Sequence, residues 1–129
     1  MMLLLDTRIV IWAALDAPKL PAAARQLIAK AGAVYVSSVS LWEIGMKVSV
    51  NKLELSMSEL ESRLFAPHAV PLALTWSHAI RTHDIAGYHR DPFDRLLVAQ
   101  AVSEPLHLLT TDKALGATAV WWSSCKSRS

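Results

Sequence analysis

Four acidic residues lie where an apolar segment ends or a helix-like segment has just begun. Asp6 follows "MLLL", Glu43 comes soon after "VYVSS", Asp94 lies early in "DPFDRLL", and Asp112 follows "LHLLTT". The carboxyl ends of parallel strands share one edge of a sheet, where open α/β proteins place their sites. Because clustered carboxylates repel one another, protons or cations must neutralise them. All-oxygen ligands favour Mg²⁺ or Mn²⁺, and a metal held in this way can activate water for phosphodiester cleavage.

Each acid, taken singly, also has a purely structural explanation. Asp6 is a good helix N-cap, as is the acid that follows the "LHLLTT" segment. Glu43 completes an S-x-x-E capping-box pattern with Ser40. Asp94 can complement the helix dipole while Asp91 caps the same helix. The occurrence of all four acids at such positions favours a metal site.

Other site chemistries have little support in this sequence. The four glycines are scattered and form no phosphate-binding loop, and the five histidines lack zinc-ligand spacing. The serines form no G-x-S-x-G elbow. Cys125 is the single cysteine, which excludes an internal disulfide and a thiolate metal site. The five tryptophans are interpreted first as core or interface residues.

The size and composition predict one soluble domain without a membrane segment. The chain has 129 residues, of which 53% are hydrophobic, and no apolar run reaches the length of a membrane span. The opening apolar run is too short for a secretory signal, so we expect a cytoplasmic protein. If four of the eleven acids bind cations, the remaining seven face thirteen Lys and Arg. The rest of the protein then has a modest net positive charge, which suits a polyanionic partner.

Strand-like and helix-like segments alternate along the chain, which predicts an α/β fold with a central parallel β-sheet flanked by helices. The predicted strands are 2–5, 33–38, 69–75, 106–112 and 118–122. The predicted helices are 8–15, 22–31, 39–50, 57–65, 76–88 and 91–104.

Several blocks of this sequence resemble the signatures of one family. In order and spacing, "LLLDTRIVIWAALD", "VYVSSVSLWEIGMKVSVNKLEL", "HRDPFDRLLVAQA" and "LLTTDKAL" resemble those of PIN-domain ribonuclease toxins of the VapC type. The resemblance implies a three-layer PIN-like fold and a metal-dependent ribonuclease of a type II toxin–antitoxin system. It also implies a nuclease domain over residues 1–122, followed by a polar tail over 123–129.

The resemblance assigns roles to the acids. Asp6, Glu43, Asp94 and Asp112 match the family's four acids, and would bind Mg²⁺ or Mn²⁺ directly or through water. Asp91 matches a residue that is frequent in this subgroup. Because proline follows it, we expect Asp91 first to cap the helix and second to support the metal ligands without binding the metal.

Three further residues are predicted to contact the substrate. Thr7 and Thr111 occupy positions where small hydroxyl residues line the site in this family. Arg8 departs from the family, because this subgroup usually has histidine there. An arginine can hold a phosphate through paired hydrogen bonds, but it cannot titrate near neutral pH. A role for this position in proton transfer is therefore in doubt, whereas the four acids are unaffected.

The expected function is a Mg²⁺- or Mn²⁺-dependent endoribonuclease toxin that cleaves RNA with a metal-activated water. Its partners would be an RNA substrate, a cognate antitoxin and a second copy in a homodimer. Candidate contacts are Trp42, Val48, Leu53 and Leu60, with core packing as the alternative, slightly favoured for Trp42. One rival is a catalytically inactive PIN-like module that binds RNA or protein. Another is a receiver-like phosphoacceptor domain, but "LLLDTR" lacks its acid pair and no lysine lies in the right context.

Overall fold

The fold is built around a five-stranded sheet. The computed structural model describes residues 1–64, 69–85, 91–111 and the backbone of 120–122. The strands are β1 (Met2–Leu5), β2 (Ala33–Ser37), β3 (Ala69–Leu72), β4 (His107–Thr110) and β5 (Val120–Trp122). Their spatial order is β3-β2-β1-β4-β5. The first four are parallel and β5 pairs antiparallel with β4, so the predicted central parallel sheet is confirmed and gains an antiparallel edge.

Helices connect the strands, as the alternating sequence pattern predicts. They are α1 (Thr7–Ala14), α2 (Ala22–Lys30), α3 (Ser38–Ser49), α4 (Met57–Leu64), α5 (Trp76–Arg81) and α6 (Pro92–Ser103). No helix in the described ranges is long and apolar enough to cross a membrane. The segment 112–119 and the predicted tail at 123–129 lie outside the described residues, so the proposed domain boundary stays a prediction.

The helix predicted over 76–88 is shorter than expected. After α5, one turn of 3₁₀ helix covers Thr82–Asp84. The Thr82 hydroxyl donates to the Ala79 carbonyl at 2.6 Å. Side-chain bonds of this kind compete with continuation of the helical ladder. Residues 86–88 of the predicted helix lie outside the described part of the chain.

The sheet is covered by apolar side chains on both faces, which explains why β1 is apolar throughout. Leu3 and Leu5 belong to one core cluster, together with Ile9 of α1 and Ile44 of α3. Leu4 points into the other cluster, whose members include Leu97 of α6. A strand buried on both faces is typical of the middle of a parallel sheet. The three-layer arrangement predicted from the sequence is therefore confirmed.

Two expectations are wrong: Leu60 as a partner contact, and core packing as the favoured role of Trp42. Leu60 is fully buried in the first core cluster, because it lies on the inner face of α4. Trp42 has 56% of its surface exposed, so it is not a core residue. Its ring packs edge-on against Phe93, with ring centroids 5.0 Å apart. Val48 and Leu53 are partly buried against the core.

Candidate functional site

Asp6 both caps a helix and faces the predicted site. Its Oδ1 accepts hydrogen bonds from the backbone N–H groups of Arg8 at 2.8 Å and Ile9 at 3.2 Å, which makes it the N-cap of α1. Its Oδ2 accepts from the Thr110 hydroxyl at 2.6 Å. The Asp6 N–H donates to the Leu109 carbonyl at 3.0 Å, which fixes this residue beside the end of β4. The capping prediction is correct, and the second oxygen is held by a neighbouring strand.

Burial makes the charged form of Asp6 costly. Loss of solvation raises the pKa of this carboxyl above its ordinary value of 3.8. Hydrogen bonds from Thr110, Ile9 and Arg8, together with the charge of Arg8, act in the opposite direction and are outweighed. A buried carboxylate of this kind is stabilised when a cation is placed beside it.

Glu43 is a buried carboxylate with two partners. It is 7% exposed on α3. The Thr7 hydroxyl donates to Glu43 Oε1 at 2.7 Å and also lies 3.1 Å from the Ser40 hydroxyl oxygen. Lys47 Nζ lies 3.1 Å from Glu43 Oε2, one helical turn further along α3. Both carboxylate oxygens are thus oriented by residues of the same region.

The structural explanation of Glu43 as half of a capping box is wrong. The N-cap of α3 is Ser37, whose hydroxyl oxygen accepts from the Val39 N–H at 3.0 Å. Ser40 therefore lies inside the helix, where its hydroxyl cannot cap the first turn. Glu43 is one turn beyond the residues that a capping box uses. Its buried position is accounted for by the Thr7 and Lys47 contacts.

The start of α6 supplies two further acids. Asp91 is the N-cap, and its Oδ1 accepts from the Phe93 N–H at 2.8 Å, with Pro92 in the first turn. Its prediction as a helix cap is confirmed. Asp94 is partly buried in the first turn of the helix, where a negative charge also complements the helix dipole.

Three of the four predicted acids line one cavity. Asp6, Glu43 and Asp94 come from the end of β1, from α3 and from α6, and they share a space of about 340 Å³. The other lining residues are Thr7, Arg8, Ile11, Lys47, Asp91 and Thr111. The fourth acid, Asp112, lies outside the described residues. Every acid of the predicted set that the structure describes is in this cavity.

The donor atoms of the cavity determine which metals it suits. Carboxylates and hydroxyls are hard oxygen ligands, which fit Mg²⁺ or Mn²⁺ better than metals that favour thiolate or imidazole. Within the described ranges, no three His, Cys, Asp or Glu side chains are close enough to form a complete metal-binding group. The described acids therefore fit part of such a ligand set.

Two residues at this site were not singled out from the sequence. Thr110, rather than its neighbour Thr111, donates to Asp6, although both lie at the end of β4 and the sequence alone does not distinguish them. Lys47 pairs with Glu43, and their i,i+4 spacing was a usable signal. Among the described residues, Arg8 forms no ion pair, and its side chain is exposed at the cavity.

The hydroxyl of Thr7 is bonded to one of the acids of the cavity. Thr7 was expected to contact substrate, and it does line the cavity. However, only 6% of its surface is exposed and its hydroxyl is bonded to Glu43. A hydroxyl has a single proton to donate, so this contact uses its donor capacity.

This fold is that of a PIN domain. The PIN domain family matches residues 3–120, and the chain belongs to that family. Ribonuclease VapC22 of Mycobacterium tuberculosis (strain ATCC 25618 / H37Rv) is 27% identical over 114 residues, which cover 87% of this chain and 88% of that protein. These likenesses confirm the resemblance to PIN toxins of the VapC type.

A solved complex has the same fold. It is the crystal structure of VapBC2 from Rickettsia felis bound to a DNA fragment from their promoter, with a TM-score of 0.66 and 20% sequence identity. The likeness covers 90% of this chain and 92% of the chain in that structure.

Proposed function

We propose that this protein is a Mg²⁺- or Mn²⁺-dependent endoribonuclease and the toxin of a type II toxin–antitoxin system. The observation that carries the proposal is the cavity shared by Asp6, Glu43 and Asp94 in a PIN domain. The three carboxylates reach this cavity from separate elements, and the burial of Asp6 and Glu43 costs desolvation free energy. A bound cation would offset that cost.

The metal would be held by Asp6, Glu43, Asp94 and Asp112, directly or through water. Asp91, at the N-cap of α6, would act behind these ligands. A bound divalent cation supplies activation of a water for attack and stabilises the negative charge that develops on the phosphodiester.

The remaining residues would orient the acids or meet the RNA. Thr110 and Thr7 hold Asp6 and Glu43 by hydrogen bonds of 2.6 and 2.7 Å, which limits carboxylate rotation. Arg8 is exposed at the mouth and would hold a phosphate of the RNA. Thr111 also lines the cavity and would contact the substrate.

The relatives support part of the proposed set of partners. One relative is named a ribonuclease, and the similar solved structure is a VapBC complex. We infer that this chain has RNA as its substrate and a cognate antitoxin as its inhibitor, and that it acts in the cytoplasm as a homodimer. Its nuclease unit would be residues 1–122, with 123–129 as a tail. The exposed Trp42 is a candidate for contact with a partner.

Cleavage of a mixed RNA pool by the purified protein tests this function. We expect cleavage with Mg²⁺ or Mn²⁺, none with EDTA, and a loss of more than about 100-fold in Asp94→Asn, the upper range even for residues that only support a metal ligand. Asp84→Asn is the matched control, because Asp84 is an exposed acid outside the cavity. Full activity in EDTA, or equal rates for the two variants, would exclude the proposed chemistry.

Growth of a bacterial culture tests the biological role. Induced expression should stop growth, and the Asp94→Asn protein should not. Co-expression of the small reading frame next to this gene should restore growth if it encodes the antitoxin. Growth arrest that persists in Asp94→Asn would show that toxicity does not depend on the nuclease site.

A further inference from the structure

Gln100 is a fully buried polar side chain on α6 whose hydrogen bonds reach three other segments. Its Oε1 accepts from the Ser37 hydroxyl at 2.6 Å. Its Nε2 donates to the Ala73 carbonyl at 3.4 Å and lies 3.3 Å from His78 Nδ1. When both the oxygen and the amino group of a buried amide are hydrogen-bonded, the elements that carry the partners are held in one arrangement.

The orientation of this amide is fixed by its neighbours. His78 is fully buried, and its Nδ1 accepts from the Thr75 N–H at 3.1 Å. The ring proton therefore lies on Nε2, which is 2.6 Å from Glu104 Oε2 and donates to it. Because His78 Nδ1 is an acceptor, the Gln100 amino group must face it and the amide oxygen must face Ser37.

The bond to Ser37 connects the helices that bear two of the acids. Ser37 is the N-cap of α3 and lies six residues before Glu43. Gln100 lies six residues after Asp94 on α6. The Ser37 hydroxyl accepts from the Val39 N–H while it donates to Gln100, so one oxygen serves both the start of α3 and the connection to α6.

We propose that Gln100 is a positioning residue that sets the separation of Glu43 and Asp94. This role rests on the proposed metal-dependent nuclease, since it concerns the carboxylates that would share the cation. A wholly apolar contact between these elements, with no buried polar partners, would need no such bonds and could be equally stable. The three bonds of Gln100 instead fix the position of α6 against α3, as partners around metal ligands do elsewhere.

Mn²⁺ affinity tests this role, measured by calorimetric titration well below the unfolding temperature. Gln100→Met keeps the volume and removes the hydrogen bonds. Val98→Ala is the matched control, because Val98 is also buried on α6, among the apolar residues of the second core cluster. Both variants should lower the unfolding temperature. Gln100→Met alone should weaken Mn²⁺ binding by about tenfold and raise the Mn²⁺ concentration needed for half-maximal RNA cleavage.

A second variant removes the same bond from its other end. Ser37→Gly loses the hydroxyl, and glycine is tolerated at an N-cap. It should weaken Mn²⁺ binding as Gln100→Met does, and it carries the test if Gln100→Met fails to fold. Mn²⁺ affinity that is unchanged in both variants, or lowered equally by Val98→Ala, would overturn the positioning role.

Wild type and Asp94→Asn separate this role from the proposed function. If the wild type binds Mn²⁺ and Asp94→Asn does not, the metal site stands whatever the outcome at Gln100. If the wild type binds no Mn²⁺, both the metal site and the positioning role are wrong.

Discussion

The ammonium group of Lys47 lies 3.1 Å from Glu43 Oε2, on the wall of the acidic cavity. It therefore places a positive charge beside a carboxylate proposed to bind a cation. Arg8 also lines this cavity, but within the described residues it forms no ion pair. Lys47 is therefore a counter-ion of Glu43 when no metal is bound.

Replacement of Lys47 by methionine should tighten Mn²⁺ binding by about threefold, since a half-exposed ammonium competes with the metal but is screened by solvent. The unfolding free energy without metal should change by less than about 0.5 kcal/mol, as for other i,i+4 pairs. Calorimetric titration measures the affinity. Lys52→Met, an exposed lysine outside the cavity, is the control. Weaker Mn²⁺ binding in Lys47→Met would contradict the competition.

Asp6→Asn should separate the capping role of this residue from its proposed metal role. Asparagine is also a good N-cap, so stability without metal should be equal or higher, while RNA cleavage should be lost. Asp6→Ala should lose RNA cleavage and should also lose about 1 kcal/mol of stability, because the helix cap is missing. Thermal unfolding and cleavage assays measure the two effects. Retained cleavage in Asp6→Asn would leave this residue with capping alone.

The stability of the metal-free protein should fall as the pH rises through the raised pKa of Asp6. Burial raises the pKa above 3.8, so the folded state binds this proton more tightly than the unfolded state. The stabilisation is complete below 3.8 and disappears above the folded-state pKa. Denaturant unfolding from acid to neutral pH should show wild type losing stability relative to Asp6→Asn. If the difference in stability between wild type and Asp6→Asn does not vary with pH, the raised pKa of Asp6 is contradicted.

Thr7→Val should weaken Mn²⁺ binding by about tenfold, because Glu43 loses the hydroxyl that orients it. It should also lower stability by about 1–3 kcal/mol, since a buried acceptor is left without its donor. Thr7→Ser keeps the hydroxyl and should restore both properties. If Thr7 instead contacts substrate, RNA affinity will fall while Mn²⁺ affinity remains unchanged.

Arg8→Ala should weaken RNA binding and lower the salt dependence of log K by about one unit, as expected for one lost phosphate contact. Mn²⁺ affinity should change much less than RNA affinity, because Arg8 forms no direct ion pair with a described acid and its charge is the smallest influence on Asp6. RNA binding measured over a range of salt concentrations tests this, with Arg81→Ala as an exposed control outside the cavity. Unchanged RNA binding with tighter Mn²⁺ binding would show that Arg8 opposes the metal and does not hold a phosphate.

The sequence predicted the elements of the site better than the contacts within it. The apolar run before Asp6 indicated a buried strand, and the acid after it was correctly placed as a cap. The start of α3 was misplaced, because Ser37, Ser38 and Ser40 are all acceptable caps by local preference. Because β2 ends at Ser37, this serine is the one that caps α3, so the position of the cap is set by the sheet.

Partners across the fold were beyond local sequence patterns. Gln100 and Ser37 are 63 residues apart, and nothing near either residue indicates their hydrogen bond. Trp42 lies among buried neighbours in an α3 sequence that is apolar on several sides, so periodicity did not reveal its exposure. These features depend on how the elements pack together.

The bond between Thr110 and Asp6 joins residues 104 positions apart, at opposite ends of the described chain. During synthesis, Asp6 leaves the ribosome long before the strand that holds its second oxygen. The cavity therefore lacks this partner until β4 has emerged and has packed beside β1. A nascent chain released early keeps its first acid without that support, and only translation of nearly the whole domain yields the arrangement described for the mature protein.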